Sequence, residues 1–318
     1  MSQGFLGFVG LAKETTWGTA VAAADYAEMM SESLSMALDR FEVKNIIGAA
    51  YESDDLAGVQ RVSGDLVTAG YPIVLGHLLK GAMNTVSGSV VLSGFLYTTR
   101  FVTPKSDFSA ADTPMQPFTF EVHRDVTSSF RYAGMCVNKL TMSLAPNQDL
   151  RLSASLLGKS VANIAKSTPT FPGSPANPFS FETASISIAG AGNAKIEAFS
   201  VSIDNQLDGI PALNASNNII RVRRRGPQML RISGTFDFQD ITEYLDFINQ
   251  TERALTVSLT RTNSFQFVID IPRFVYRTFP VGIPGRDRLT VQFEGMPRYL
   301  SSSGTAIDFR LTSTKSDY

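Results

Sequence analysis

Apolar and polar positions alternate with period two through most of the chain. Val62-Ser63-Gly64-Asp65-Leu66, Leu140-Thr141-Met142-Ser143-Leu144 and Leu150-Arg151-Leu152-Ser153-Ala154-Ser155-Leu156 are clear cases. Phe181 to Ile188, Leu255 to Leu259 and Leu289 to Phe293 repeat the pattern. Successive side chains of a strand face opposite ways, so these segments predict sheets with one buried face and one hydroxyl-covered face. Gly, Pro and Asn clusters separate them, as strand ends require. The predicted class is mainly β and antiparallel.

Two segments break the alternation with helical spacing. Tyr71 to Lys80 is apolar and carries Pro72 near its start, where the missing N–H costs little. The second runs from Asp240 to about Gln250. Asp240 is placed to cap it with Glu243 as capping-box partner, and Ile241, Tyr244, Leu245 and Ile248 share one face. This predicts a short amphipathic helix laid with that face on a sheet.

The context of the helices recurs. Arg61-Val62-Ser63-Gly64 precedes the first helix and Arg231-Ile232-Ser233-Gly234 the second, 170 positions later. At the same offset Ser31-Glu32-Ser33-Leu34 lines up with Val201-Ser202-Ile203-Asp204. Leu157-Gly158 closes an alternating segment as Glu294-Gly295 does. Strand, R-[VI]-S-G, helix and further strands ending in Gly, twice in one order, predict an internal duplication. The expected units are 1–165 and 166–318. Residues 85–117 hold the extra length of the first, as a hairpin and a polar loop. The join is expected within 160–178, where Ser167-Thr168-Pro169-Thr170-Phe171-Pro172-Gly173-Ser174-Pro175 has linker composition.

Composition narrows the function classes. The 318 residues suggest two domains. Charged residues make up 18%, below the roughly 25% of a typical soluble domain, so the surface is neutral and hydroxyl-rich. A net charge of -1 lacks the basic excess of a dedicated nucleic-acid binder. One cysteine, Cys136, excludes an internal disulfide framework and a cysteine-based zinc cluster. No apolar run reaches the ~18 residues of a membrane span. The N-terminus has no basic segment leading into an apolar one, so no signal peptide is expected, and folding is expected in a reducing cytoplasm.

Little here favours catalysis. His77 lies among Leu75, Leu78 and Leu79, which reads as a core position. His123, with Asp125 two positions on, has no recognisable nucleophile or second ligand beside it. Ala189-Gly190-Ala191-Gly192-Asn193 lacks the Lys-Ser/Thr of a phosphate loop and reads as a turn. No enzyme activity, cofactor or metal is expected. Arg221, Arg223, Arg224 and Arg225 form the densest positive patch, read as solvated or intermolecular salt bridges rather than a nucleic-acid contact. Glu52, Asp54 and Asp55 are the acidic counterpart. Trp17, the only tryptophan, sits in a loop-like stretch and is an equal candidate for subunit anchor or core.

The segment Lys13-Glu14-Thr15-Thr16-Trp17-Gly18-Thr19-Ala20-Val21, followed by Ser31-Glu32-Ser33-Leu34, resembles the opening of tail tube proteins of long-tailed bacteriophages, non-contractile ones first. The resemblance continues through Gly64 and the helix at Pro72, then more loosely. It implies tube-type β-sandwich or barrel domains, each with a flanking helix, whose strands line a channel for DNA. It also implies rings that stack through loops and an extended hairpin. Partners would be the chain itself and the tape-measure, tail-tip and terminator proteins of a virion tail. With the duplication, three chains would supply six domains around a ring; a hexamer with one ornamental domain is the second expectation. A capsid-decorating or tail-accessory β-protein and a carbohydrate-binding β-sandwich remain the alternatives, the latter disfavoured by the single Trp.

Overall fold

The alternating segments form strands, and every pairing between named strands is antiparallel. The computed structural model describes residues 4–44, 55–93, 96–103, 115–171, 177–193, 195–261, 265–283, 285 and 288–318. In chain order come β1 (Phe8–Lys13), β2 (Asp25–Ala27), β3 (Ser31–Glu32), β4 (Ser35–Glu42), β5 (Asp55–Ala69) and helix α1 (Pro72–Met83). Then follow β6 (Thr85–Ser93), β7 (Leu96–Val102), β8 (Phe118–His123), β9 (Ser128–Leu144), β10 (Arg151–Gly158) and β11 (Ser160–Ala165). Next are β12 (Ala184–Ile188), β13 (Ala191–Gly192), β14 (Ile196–Asp204), β15 (Leu207–Ile210), β16 (Arg221–Arg224) and β17 (Met229–Asp237). Helix α2 (Thr242–Ile248), β18 (Arg253–Thr260), β19 (Gln266–Thr278), β20 (Thr290–Pro297) and β21 (Asp308–Ser313) complete the chain.

Two long strands each serve two surfaces. Residues 128–135 of β9 pair with β8 and β11, and residues 136–144 with β10 and β14. Gly134 stands at the corner with φ +71°, a left-handed conformation that a side chain resists. In β19 the first part pairs with β18 and β21, and the end with β20. The result is a large antiparallel assembly consistent with a β-sandwich. One run through it is β4-β5-β10-β9-β14-β17-β20-β19. Alternation decides which side each strand buries: in β10, Leu152, Ala154 and Leu156 are buried and the serines between them are not.

The two R-[VI]-S-G strands sit in the same register. On β5, Val62 faces Gly158 and Gly64 faces Leu156; on β17, Ile232 faces Gly295 and Gly234 faces Phe293. The glycine is a close-approach residue in both. A Cβ on Gly64 would lie 2.5 Å from the Ser33 carbonyl oxygen, and one on Gly234 would collide with the Ala198 carbonyl. The upstream alignment needs correction. Met36 faces Val62 as Val201 faces Ile232, so Met36 rather than Ser31 occupies the position of Val201. The connections between the paired strands differ in length, so a fixed offset fails across them.

Helix α1 starts with Pro72 at its first turn and is buried almost all round, against β9, β21 and β7. It runs on to Met83, past the expected end at Lys80, and closes on Asn84 at φ 67°. Helix α2 corrects its expected orientation. Asp240 Oδ1 does accept the Thr242 N–H at 2.9 Å, but Ile241, Leu245 and Ile248 are exposed while Glu243 and Asp246 are buried. The polar side is drawn inward by Arg253, which grips Asp246 with two 2.9 Å bonds, and by Lys195, 3.5 Å from Glu243. Tyr244 and Phe247 pack on the core beside them.

The stretch 85–117 contains the β6–β7 hairpin, and its residues 94–95 and 104–114 lie outside the described residues. β7 pairs with β21, where Arg100 Nε donates to Asp308 at 2.6 Å. The stretch 160–165, expected as part of the join, is strand β11 on β9.

Candidate assembly surface

The opening motif is a buried polar knot. Lys13 ends β1, and the chain then turns through Glu14 to Val21 before returning as β2. Glu14 is 1% exposed. Its Oε2 accepts the Gly18 N–H at 2.8 Å, and its Oε1 accepts the Thr119 hydroxyl at 2.7 Å and the Gly134 N–H at 2.8 Å. Thr119 in turn accepts the Val21 N–H at 3.0 Å. A carboxylate can be buried when its lone pairs are filled this way. Trp17 Nε1 donates to the Gly134 carbonyl at 2.9 Å, and the Lys159 ammonium lies 5.1 Å from the indole centre. The structure thus sets Trp17, half-buried, against the corner of β9.

Both histidines are buried in packing. His77 Nε2 lies 2.8 Å from Asp25, whose carboxylate also receives Lys315 Nζ at 2.7 Å. Burial holds the His77 imidazole below its ordinary pKa, so the neutral ring donates from Nε2. His123 stacks on Phe8 and lies 3.2 Å from the Ser129 hydroxyl. Cys136 is fully buried, and burial pushes its thiol pKa far up. Among the described residues no group of three or more His, Cys, Asp or Glu is placed to hold a metal, and no helix is long and apolar enough to cross a membrane.

The arginine patch lies on the β15–β16 hairpin and divides in two. Arg224 turns inward: its Nη2 donates to Asn205 Oδ1 at 2.6 Å, and burial lowers its pKa to about 10. Asn205, 0% exposed, also donates to the carbonyls of Ala82 and Val137, both at 3.0 Å, so it ties α1, β9 and the hairpin together. Arg225 pairs with Asp208 across the hairpin at 2.9 Å. Arg223 is exposed and Arg221 half-buried. The hairpin loop meets β5, where the Gln60 N–H donates to the Asn217 carbonyl at 2.7 Å. Asp55, at the far end of β5, pairs with Arg40 at 3.1 Å; Glu52 and Asp54 lie outside the described residues. Of the acidic trio only Asp55 is described, and its strand β5 adjoins the hairpin of the arginines. Nothing in the sequence separated Arg224 from its neighbours, because its partner Asn205 lies 19 positions away.

Exposed apolar side chains gather in two places, of which the sequence singled out only the apolar face of α2. One is β4 with the adjoining end of β5, where Met36, Leu38, Phe41 and Leu56 are exposed. The other is the outer face of α2. Single exposed apolar residues are ordinary, but rows of them on an edge strand and a helix face are candidates for a surface that binds protein.

No curated protein matches the chain. The family model described as phage tail tube protein matches residues 4–297. That span holds the knot at Glu14, both R-[VI]-S-G strands, both helices and both exposed apolar rows. The family is one of structural tail tube proteins, not of enzymes, and the chain belongs to it.

Proposed function

We propose that this chain is the tube subunit itself, polymerising as stacked rings into the virion tail tube through which DNA is ejected into the host. The observation that carries the reading is the repeated register: Val62 on Gly158 and Ile232 on Gly295, each strand leading into a helix. It supports two tandem tube-type domains, 1–165 and 166–318, with the β6–β7 hairpin as an insertion in the first. Three chains then give a pseudo-sixfold ring; six chains with one ornamental domain each is the second arrangement.

The hydroxyl-rich sheet faces suit a channel wall. Lys and Arg in a lumen would neutralise phosphates and hold DNA, and the 28 of the chain are balanced by 29 Asp and Glu. The β4–β5 hairpin and the β15–β16 hairpin are the loops for stacking, with Arg221, Arg223 and Arg225 of one ring facing Glu52, Asp54 and Asp55 of the next. Trp17 braces the corner beside them. Tape-measure, tail-tip and terminator proteins complete the set of partners, and synthesis is in the host cytoplasm.

Electron microscopy of purified protein, alone and seeded with a tail-tip complex, tests this reading. Hollow tubes with three chains and six lobes per ring are the expected result. Six chains per ring would favour the ornamental-domain arrangement. Decoration of capsids without tubes would favour a capsid-decorating role.

A further inference from the structure

The strand run β4-β5-β10-β9-β14-β17-β20-β19 contains a seam and has two open ends. At the seam, Leu140 of β9 faces Ile203 of β14 and Met142 faces Val201, and all four are at most 1% exposed. At one open end, Met36 and Leu38 of β4 hold the positions on β5 that Val201 and Ile203 hold on β17. Among the described strands β4 has no partner on its outer edge, and Met36 and Leu38 are 37% and 38% exposed.

The other end matches the other side of the seam. Glu294 faces Thr278 as Leu157 faces Cys136, so the buried Phe279 corresponds to the buried Val137. Beyond the irregularity between Val137 and Lys139, Val281 corresponds to Leu140 and Ile283 to Met142. Those two side chains are 41% and 86% exposed. The helices repeat the contrast. Leu75 and Leu78 of α1 are buried, and Leu245 and Ile248, 170 positions on, are not.

We propose that a second copy of the chain completes both ends: residues 279–283 of one copy lie antiparallel against β4 of the next, Val281 on Leu38 and Ile283 on Met36. The contact between chains then repeats the seam within the chain. The same docking covers α2. Its counterpart α1 packs under β21, which follows β20; β11 follows β10 in the same way, and is the strand of the neighbour that lies over Leu245 and Ile248. Each chain uses two different surfaces once each, so the contact is heterologous, and propagates head to tail until it closes. Pro280 has no N–H to give, so apolar burial carries more of the affinity than the strand ladder does.

The inference rests on the tube-subunit reading, and cross-linking separates the two. Leu38→Cys combined with Val281→Cys, mildly oxidised after assembly, is expected to give a ladder of covalent multimers on a non-reducing gel that stops at the ring number. Either single variant should give none, since Cys136 is buried. Met36→Asp and Ile248→Asp are each expected to lower ring yield about tenfold or more while the monomer's unfolding curve is unchanged. Rings or tubes that form without a ladder, or that either aspartate variant forms at wild-type yield, overturn the interface and leave the tube reading standing. Failure of the seeded wild-type chain to form any ring overturns both.

Discussion

Glu14 and Gly134, 120 positions apart, are joined by a 2.8 Å hydrogen bond from the glycine N–H to the buried carboxylate. Gly134 is where β9 turns from one surface to the other, so the first loop of the chain is fastened to the corner of its longest strand. Glu14→Ala would strand three donors, two of them backbone N–H groups. Bonds to a charged acceptor contribute about 1.5–3 kcal/mol each at most, and a loss of about 3 kcal/mol in total is expected. Glu14→Gln should recover only part, because an amide has one acceptor oxygen where three donors converge. Denaturant midpoints of the two variants check the order.

Gly64→Ala and Gly234→Ala should each destabilise by about 1–3 kcal/mol, since a methyl group has to displace a neighbouring backbone carbonyl. Gly64 adds conformational strain at φ +152°, so its loss should be the larger. Gly192→Ala, where a Cβ meets open space, should be nearly neutral. Thermal unfolding of the three variants side by side tests the ranking.

Asn205→Ala should be costlier than its size suggests. It removes two donors and leaves Arg224, largely desolvated, without its 2.6 Å acceptor. A loss of about 2–4 kcal/mol is expected. Arg224→Met should cost less, because it removes the buried charge together with its need for a partner. A double-mutant cycle measures the coupling.

Acid should weaken the fold in two stages. Burial alone would raise the Asp25 pKa, but hydrogen bonds from His77 and Lys315 outweigh it and hold it at about 2. Burial lowers that of His77. Both groups bind protons more readily in the unfolded chain, where their pKa values are about 3.9 and 6.5, so both favour folding at higher pH. The His77 contribution is full above about 6.5 and is lost as pH falls below it. The Asp25 contribution is lost between about 4 and about 2. His77→Gln should flatten the dependence of melting temperature on pH between 7 and 5, while the Asp25 stage, which keeps its Lys315 bond, shrinks but persists. An unchanged slope would exclude His77 as its source.

The strands, both helices and the β6–β7 hairpin were legible because each announces itself over a few neighbouring residues. Period-two burial in β10 and Pro72 at the head of α1 are local signals. Local signals fail where a distant partner decides. The periodicity of α2 grouped Ile241, Leu245 and Ile248 correctly but not which way they turn, since Arg253 and Lys195 hold the polar face inward, and Tyr244 of the same predicted face packs on the core. The role of Glu14 depends on residues from β8 and β9, so the opening motif marked a family without revealing its chemistry. A fixed repeat offset likewise missed that Met36, not Ser31, answers to Val201. The open edge of β4 was the least legible feature, because a strand edge that stays open looks in sequence like one that is paired.

The β7–β21 ladder has a bearing on synthesis. Thr98 and Thr312 face one another with their hydroxyl oxygens 2.8 Å apart, 214 positions apart in sequence. A ribosome adding about 5–20 residues per second makes β7 on the order of ten to forty seconds before β21. During that interval β7 has a bare flank and α1 is only partly covered. Nascent chains crowded on one message are therefore most prone to pair wrongly with one another at this strand.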